Sequence, residues 1–464
     1  MNRPRTDGPR NPQRRPEEDD VITYEDYKQY ISPALSKATN LVIDHGEGSY
    51  VWDVSGRRYL DWVQGIAVNA LGHCHPRVVE AIREQVGKLL TCSFNVVNYE
   101  STLKWAKRIA EIAPGELGST FFSNGGAEAT DGALKLAKAY TGRPGIIAFK
   151  GSFHGRTIAA TSVTASSAHY RAGYDPLVPG IDLVTYPSAD QSPEGYTDDQ
   201  IADWALRQLT DLFAYVRDPH SVAAVLMEPV QGEGGYVVPP TRFVKALRQL
   251  CTDNGILLIF DEIQAGYGRT GRMFASENFD VVPDIMTIGK AMAGGLPASG
   301  VVSTPEIMAA WGPGRHGGTF GGNPVVASAG LAVLDVYAET HLLDNVNAVG
   351  SYLAGRLDEL KDEFPIVTDA RGLGLMRAIE LNHVDGRPGG DLLEEVRAIC
   401  LDKGLMTLSC GVRHNGMRFA TPLNTTTELI DEGLDILHQA LTTVSAREAP
   451  RHTSGATTKQ AVAA

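Results

Sequence analysis

A lysine set among apolar and small residues, and an aspartate closing an apolar run upstream, are the two side chains whose surroundings best suit covalent chemistry. Lys290 follows the mostly apolar Asp284-Ile-Met-Thr-Ile-Gly289 and precedes Ala-Met-Ala-Gly-Gly. Crowding of this kind lowers an ammonium's pKa and favours the nucleophilic amine, which condenses with carbonyl groups to a Schiff base. Asp261 ends Ile256-Leu-Leu-Ile-Phe260, a run expected for a central strand of a parallel sheet buried on both faces. Ligands of open α/β sheets collect beyond the carboxyl ends of strands, which places this carboxylate for chemistry. A Schiff-base lysine, with an aspartate to pair a pyridinium nitrogen, is the protein's share of pyridoxal-phosphate chemistry. Taken alone, the same two residues fit a turn cap and a surface lysine equally well.

The elements that would position them recur along the chain. Thr120-Phe-Phe-Ser-Asn-Gly-Gly-Ala-Glu-Ala predicts a short strand, a glycine turn at Gly125-Gly126 and a helix N-terminus, the arrangement that binds phosphate through free backbone N–H groups. Gly145-Ile-Ile-Ala-Phe predicts a strand, and Lys150-Gly-Ser-Phe-His-Gly-Arg-Thr a loop carrying Phe153, His154 and Arg156 beyond it. Such a phenyl ring stacks on a pyridine and such an arginine clamps a carboxylate bidentately; the bland alternatives are a core ring and a surface ion. Ser221 to Met227 predicts another buried strand, ending in Glu228-Pro-Val-Gln-Gly-Glu233-Gly-Gly, two glutamates in a glycine-rich loop. The helix expected from Thr241 to Asn254 returns the chain to Gly255. This strand–helix alternation identifies α/β architecture with a parallel sheet.

Other stretches serve the frame. Tyr24 to Ile31 reads as a short helix, Leu41 to Trp62 as a small antiparallel meander, and Pro76 as the first position of a helix. His73 and His75 stand in a Gly/Pro turn with no carboxylate or cysteine pair nearby, too little for a metal site. Gly266-Tyr-Gly-Arg-Thr-Gly271 matches a dinucleotide fingerprint, but no convincing crossover helix follows it. Gly317-Gly-Thr-Phe-Gly-Gly-Asn-Pro is a loop of close backbone approach, followed by a helix from Pro324 to about Ala338. Strands expected at Ala370–Leu381 and Met417–Leu423, the latter with Arg418 between apolar neighbours, belong to a smaller α+β unit.

Composition narrows the class. At 464 residues, 43% hydrophobic and with 49 glycines, the chain can bury a large core. A net charge of −13 argues against a nucleic-acid surface, and no apolar stretch approaches the roughly eighteen residues of a membrane span. Five scattered cysteines without Cys-x-x-Cys suit a reducing, cytoplasmic setting. Residues 1–20 and those from about Arg447 to Ala464 read as disordered tails.

Together the motifs resemble the class III (ω-amino acid) aminotransferases, in the fold-type I pyridoxal-phosphate superfamily. The resemblance runs from about Leu41 to Ala440. It rests on Gly65-Ile-Ala-Val with Gly-His-x-His-Pro, Gly126-Ala-Glu-Ala, Phe-His-Gly-Arg-Thr and Glu-Pro-Val-Gln-Gly-Glu-Gly-Gly. Asp-Glu-Ile-Gln with Gly-Arg-Thr-Gly, Gly-Lys-Ala-Met-Ala-Gly-Gly and Gly-Gly-Thr-Phe-Gly-Gly-Asn-Pro complete it. It implies a large domain (71–335) with a mostly parallel central sheet flanked by helices. A smaller α+β domain would be built from both termini (21–70 and 336–446).

The resemblance further implies Lys290 as Schiff-base lysine and proton shuttle, Asp261 at the pyridinium nitrogen, Phe153 on the ring and Gln264 near the phenolic oxygen. His154 joins them. Gly126 and Ala127 would hold the phosphate with Thr319 from the other subunit of a homodimer, alone or paired as a tetramer. Arg418 would bind an α-carboxylate and Arg156 a distal one, with Glu233 neutralising Arg418 when the donor lacks an α-carboxylate. Ile66 and Glu228 would complete the substrate-binding set. Gly125 departs from the Ser or Thr that many relatives carry there.

Ile66 and Leu408-Ser-Cys-Gly look most like 4-aminobutyrate aminotransferases, acting with 2-oxoglutarate by a ping-pong mechanism. Ala-Leu-Gly-His-Cys-His-Pro and Phe153 also look like acetylornithine enzymes. An amino-sugar or secondary-metabolite transaminase, and a racemase or epimerase of the same family, are the other readings.

Overall fold

The computed structural model describes residues 22–448. The tail expected at 1–20, and the stretch from 449 onward, lie outside the described residues. Where apolar and polar residues alternate, the chain forms β1 (Ile43–Glu47), β2 (Tyr50–Asp53) and β3 (Arg58–Asp61), an antiparallel meander as expected.

The central sheet follows. Its strands are β4 (Ser119–Ser123), β5 (Gly145–Phe149), β6 (Ile181–Val184), β7 (Val222–Met227), β8 (Leu257–Asp261), β9 (Ile285–Gly289) and β10 (Ser299–Ser303). They lie in the order β4-β10-β9-β8-β7-β5-β6. Strands β9, β8, β7, β5 and β6 pair in parallel, and only β10 runs antiparallel to its neighbours β4 and β9. The five interior strands are buried along their whole length, with helices on the faces. That double coverage is why they read as unbroken apolar runs. Parallel pairing brings the carboxyl ends of β5, β7, β8 and β9 to one edge, and the loops carrying Phe153, Glu228, Asp261 and Lys290 emerge there together.

The third sheet comes from the C-terminal part: β11 (Val367–Leu373), β12 (Met376–Leu381), β13 (Leu405–Met406), β14 (Leu408–Cys410) and β15 (Gly416–Phe419). Four of these form the antiparallel order β11-β12-β15-β14, while β13 leaves them to extend the N-terminal meander, parallel to β3. Chain ends far apart in sequence thus share a sheet, and the buried Trp62 ring meets Phe419 edge-on at 5.3 Å. The expected smaller α+β part built from both termini is present in this form.

One expectation needs adjustment. The last helix, Thr427–Glu448, runs past the expected start of the tail at 447. Buried Ala440, Leu441 and Val444 keep its apolar face in register, and Arg447 pairs with Glu395 near a helix end that favours a cation. The segment Gly266–Gly271 folds as turns that open no helix, and the next helical piece is the short Ala275–Phe279. Arg269, fully buried in it, donates to the carbonyl oxygens of Thr421 (2.5 Å) and Leu375 (3.3 Å) and so fastens the C-terminal part to the central one. No single helix among the described residues is long and apolar enough to cross a membrane.

Candidate active site

The β8–β9 register sets Asp261 opposite Thr287. Asp261 Oδ1 accepts hydrogen bonds from Thr287 Oγ1 (3.0 Å) and the Ile263 N–H (3.1 Å), and Oδ2 lies 2.6 Å from His154 Nδ1. The carboxylate is 4% exposed; Oδ1 is saturated by its two donors, and Oδ2 retains one lone-pair site beyond its contact with His154. His154 is equally enclosed, and its Nε2 has no partner among the described residues.

Beyond β9, Lys290 opens a 3₁₀ turn with φ of 44°, in the left-handed region that lysine seldom occupies. Such backbone strain survives where surrounding structure holds it, commonly at functional sites. One side of the lysine faces the cleft, yet crowding by protein lowers its pKa to about 8. Burial is the main cause, and the positive Arg418 adds to it against the opposing pull of Glu228, Asp261 and Glu233.

Facing the lysine, the helix Gly126–Thr141 starts from β4. Gly125 is its extended N-cap, fixed by Ser299 Oγ donating to its carbonyl oxygen at 2.8 Å. The N–H groups of Gly126 and Ala127 take no acceptor among the described residues. Gly155 is required here, because its φ is 130° and a Cβ would come within 2.5 Å of Ala127 Cβ. The helix start, Phe153, His154, Gln264, Asp261 and Lys290 line one cleft. Two other clefts, around Arg397 and around Arg371, contain no lysine, cysteine or histidine, so the chemistry selects this one.

Glu228 braces the wall. Its carboxylate accepts the N–H groups of Phe153 (2.8 Å) and Gly232 (2.7 Å), and burial lifts its pKa to about 7. Expected among the substrate-binding residues, it spends both oxygens on backbone and ties two site loops together. Gln264 Oε1 accepts from Tyr236 O–H at 3.1 Å.

Arg418, on β15 and 4% exposed, lies 2.8 Å from Glu233 Oε2. The pair is close but poorly aligned, and Arg418 Nε and Nη1 find no well-directed acceptor. Arg156 is exposed, with its guanidinium 3.6 Å from the centre of the Tyr170 ring and 5.5 Å from that of Phe153. Tyr170, whose hydroxyl pKa is raised by burial and then by Glu233, is near enough to both arginines for each to oppose that rise. Sequence reading missed it, because no periodicity or motif marks Ala168–Tyr170. Thr319 and Ile66 do not join this cleft. Both are exposed, Thr319 on the glycine-rich loop and Ile66 on a turn near the N-terminal meander.

An enclosed aspartate, a pKa-lowered lysine and a bare helix N-terminus at the carboxyl edge of a mostly parallel sheet fit a phosphorylated pyridine aldehyde. The fold and site define a pyridoxal-phosphate-dependent enzyme of fold type I. The chain belongs to the aminotransferase class-III family, whose model matches residues 31–441. It is 39% identical over 416 residues to the 4-aminobutyrate aminotransferase of Escherichia coli, covering 89% of this chain and 96% of that one. To the 5-aminovalerate aminotransferase of Pseudomonas aeruginosa it is 40% identical over 400 residues, covering 86% and 92%. The solved taurine:2-oxoglutarate aminotransferase of Bifidobacterium kashiwanohense, in complex with PLP and glutamate, superposes with a TM-score of 0.85. That match has 30% identity and covers 92% of this chain and 99% of that one. The protein is an aminotransferase with pyridoxal phosphate as its cofactor.

Proposed function

We propose that the enzyme moves an amino group from an ω-amino acid of the 4-aminobutyrate type to 2-oxoglutarate, in two half-reactions that share one site. The observation that carries this reading is the Arg418–Glu233 pair: a buried arginine with unused N–H groups beside a partly exposed glutamate that can leave it. Removing a partner from a buried charge is costly, so a site that must accept donors with and without an α-carboxylate needs a movable counter-ion. Arg156 is the second cation, matched to the distal carboxylate of the donor and of 2-oxoglutarate. Similarity to enzymes named for 4-aminobutyrate and 5-aminovalerate supports the same class of donor.

In this reading Lys290 Nζ would hold the cofactor covalently and then carry the proton to and from the substrate carbon. Asp261, oriented by His154 and Thr287, would pair with the ring nitrogen, Phe153 would stack on the ring and Gln264 would approach the phenolic oxygen. The N–H groups of Gly126 and Ala127 would hold the phosphate. The bound cofactor supplies the electron sink that makes the substrate C–H acidic.

Thr319 would act on the phosphate of a second copy. Exposed Leu89, Leu90, Val96, Val97 and Phe320 lie along the segments that carry it, which Asn95 Nδ2 to Gly318 O (2.8 Å) and Asn323 Nδ2 to Leu90 O (3.0 Å) tie together. An apolar surface of this kind suits a homodimer. The free cysteines suit a cytoplasmic setting.

Single-turnover half-reactions, followed by the visible absorbance of the bound cofactor across a panel of amino donors, test the reading. Arg156→Ala should slow 4-aminobutyrate at least about 30-fold, the worth of a charged hydrogen-bonded contact. A loss confined to glutamate would point instead to an acceptor without a carboxylate. Inversion of an amino acid with no 2-oxo acid present and no glutamate formed would replace transamination with isomerisation.

A further inference from the structure

We propose that Asp61 and His73 are positioning residues that hold a strained left-handed turn and thereby fix the direction of the Ile66 side chain. The inference rests on the reading in which Ile66 meets the substrate.

Four consecutive residues, Gln64, Gly65, Ile66 and Ala67, have φ of 48, 65, 66 and 62°. Glycine adopts this region freely, whereas an L-residue meets a clash between Cβ and backbone, worst for a β-branched side chain such as isoleucine. A turn needed only for chain reversal would be built from Gly or Asn. Three of these four residues are neither, so neighbouring structure must hold them in place.

Asp61 does so. Its Oδ1 accepts the N–H groups of Val63 (2.8 Å) and Gln64 (3.0 Å), and its carbonyl oxygen accepts Gln64 Nε2 at 2.8 Å. Its Oδ2 lies 2.8 Å from His73 Nε2. Because the carboxylate can only accept, Nε2 carries the proton, which leaves Nδ1 to accept from Asn69 Nδ2 at 3.4 Å. His73 is itself held: its backbone exchanges hydrogen bonds of 3.0 and 2.8 Å with Gly48, at the tip of the β1–β2 hairpin. Its ring fills the space beside Gly46, where a Cβ would come within 2.8 Å. The histidines that the sequence offered as a doubtful metal pair are thus split in role, and the carboxylate that sequence spacing did not place near them comes from Asp61.

The turn is seated against both sides of the site. Asn69 fills the space beside Gly295, just beyond Lys290, where a Cβ would meet its Oδ1 at 2.8 Å. Trp62 O accepts the Ala420 N–H at 3.0 Å and Ala70 O accepts the Leu423 N–H at 2.7 Å, both just beyond Arg418. Ile66, 45% exposed, is carried between these two anchored segments. Strain at this turn fixes the direction of an apolar side chain, which on the reading in which Ile66 meets the substrate would be the side chain an extended, carboxylate-bearing donor passes.

The test uses holoenzyme carrying Asp61→Asn, His73→Leu, His73→Gln, Ile66→Gly, Ile66→Ala and the double change His73→Leu with Ile66→Gly. Donor KM, kcat and melting temperature are measured for each, with cofactor absorbance confirming a loaded site. His73→Leu and Asp61→Asn should raise donor KM about fivefold or more, lower kcat less, and lower Tm by several degrees. His73→Gln, which keeps an N–H for Asp61, should recover part of both. Ile66→Gly should raise KM similarly without lowering Tm, and in that background His73→Leu should add less than about twofold, because the β-branched residue, the most strained of the turn, no longer has to be held. Equal Tm losses from His73→Leu with Ile66 and with glycine would overturn the latch, even if KM rises. Unchanged KM in both Ile66→Gly and Ile66→Ala would instead remove Ile66 from the substrate path, while the Tm coupling still decides the latch.

Discussion

At the inner end of the cleft, Asp261 receives hydrogen bonds from Thr287 and Ile263, meets His154 at 2.6 Å, and is sealed from solvent. At the outer end, Arg418 lies 2.8 Å from Glu233 yet keeps unused N–H groups, and Arg156 rests exposed on the Tyr170 ring. The inner groups sit on strand ends in a rigid sheet, and the outer ones come from loops and from a different sheet. A group that must hold one cofactor through every turnover gains from complete bonding. Groups that, on the proposed reading, receive two chemically different substrates in turn cannot be completely bonded beforehand, because each saturated donor would have to be freed again.

The largest expected effect strikes the inner end. On the proposed reading, Lys290→Ala should lower turnover by about 10⁴-fold or more, since positioned proton transfer alone would contribute about 10²–10⁴-fold and the covalent hold would be lost as well. A pH measurement on the wild-type protein sharpens the point. Lys290 has its pKa lowered to about 8, first by burial and then by Arg418, and only the neutral amine captures an aldehyde. The rate at which cofactor-free protein takes up pyridoxal phosphate should therefore rise with pH and level off above about 8. A rate still climbing near pH 10, as for an ordinary lysine, would show that the inner end is not tuned as described.

At the outer end the expected change is smaller and selective. Glu233→Gln removes the charge beside Arg418 but keeps the shape. For donors without an α-carboxylate, Arg418 would then stay buried and uncompensated. Their kcat/KM should fall roughly 30-fold, about 2 kcal/mol, below the usual range for a broken buried pair because the Glu233 side chain is 27% exposed. Glutamate, which brings its own α-carboxylate, should change less than about threefold. Steady-state kinetics with both donors decides it. A uniform loss would mean that Glu233 is fixed like Asp261, and the contrast between the two ends would disappear.

The same contrast governs what the sequence discloses. The inner end was legible because each of its groups terminates an apolar run or opens a glycine turn, and strand ends in a parallel sheet converge by construction. Tyr170 gave no sign, since a side chain on the 3₁₀ turn Ala168–Tyr170 acquires its neighbours only through the path of the preceding loop. Glu228 and Glu233 look alike in sequence. Only the folded loop shows that one is consumed by backbone N–H groups and the other left to meet Arg418. The left-handed turn at Gln64–Ala67 is hidden for the opposite reason: isoleucine and alanine stand where residue preference would expect glycine, and the restraint comes from Asp61 and His73 across a loop.

The smallest effect concerns the phosphate cradle, where the inner end is less complete than its core. Gly125 has φ of −107° and ψ of 149°, ordinary for any residue, and a Cβ there would meet nothing within 4 Å. Gly125→Ser is therefore free of strain and adds one O–H donor beside the N–H groups of Gly126 and Ala127. A hydrogen bond to a charged acceptor contributes about 1.5 kcal/mol at the low end of its range, so the dissociation constant for pyridoxal phosphate should fall roughly tenfold. Glycine and serine differ by only a few tenths of a kcal/mol as N-caps, so the cofactor-free protein should melt within about 1 °C of wild type. The holoenzyme should gain more than the cofactor-free form. Equal gains in both would assign the effect to helix capping. No gain in either would mean that backbone N–H groups, with a donor such as Thr319 from a second copy, already saturate the phosphate, and that the glycine costs this chain nothing.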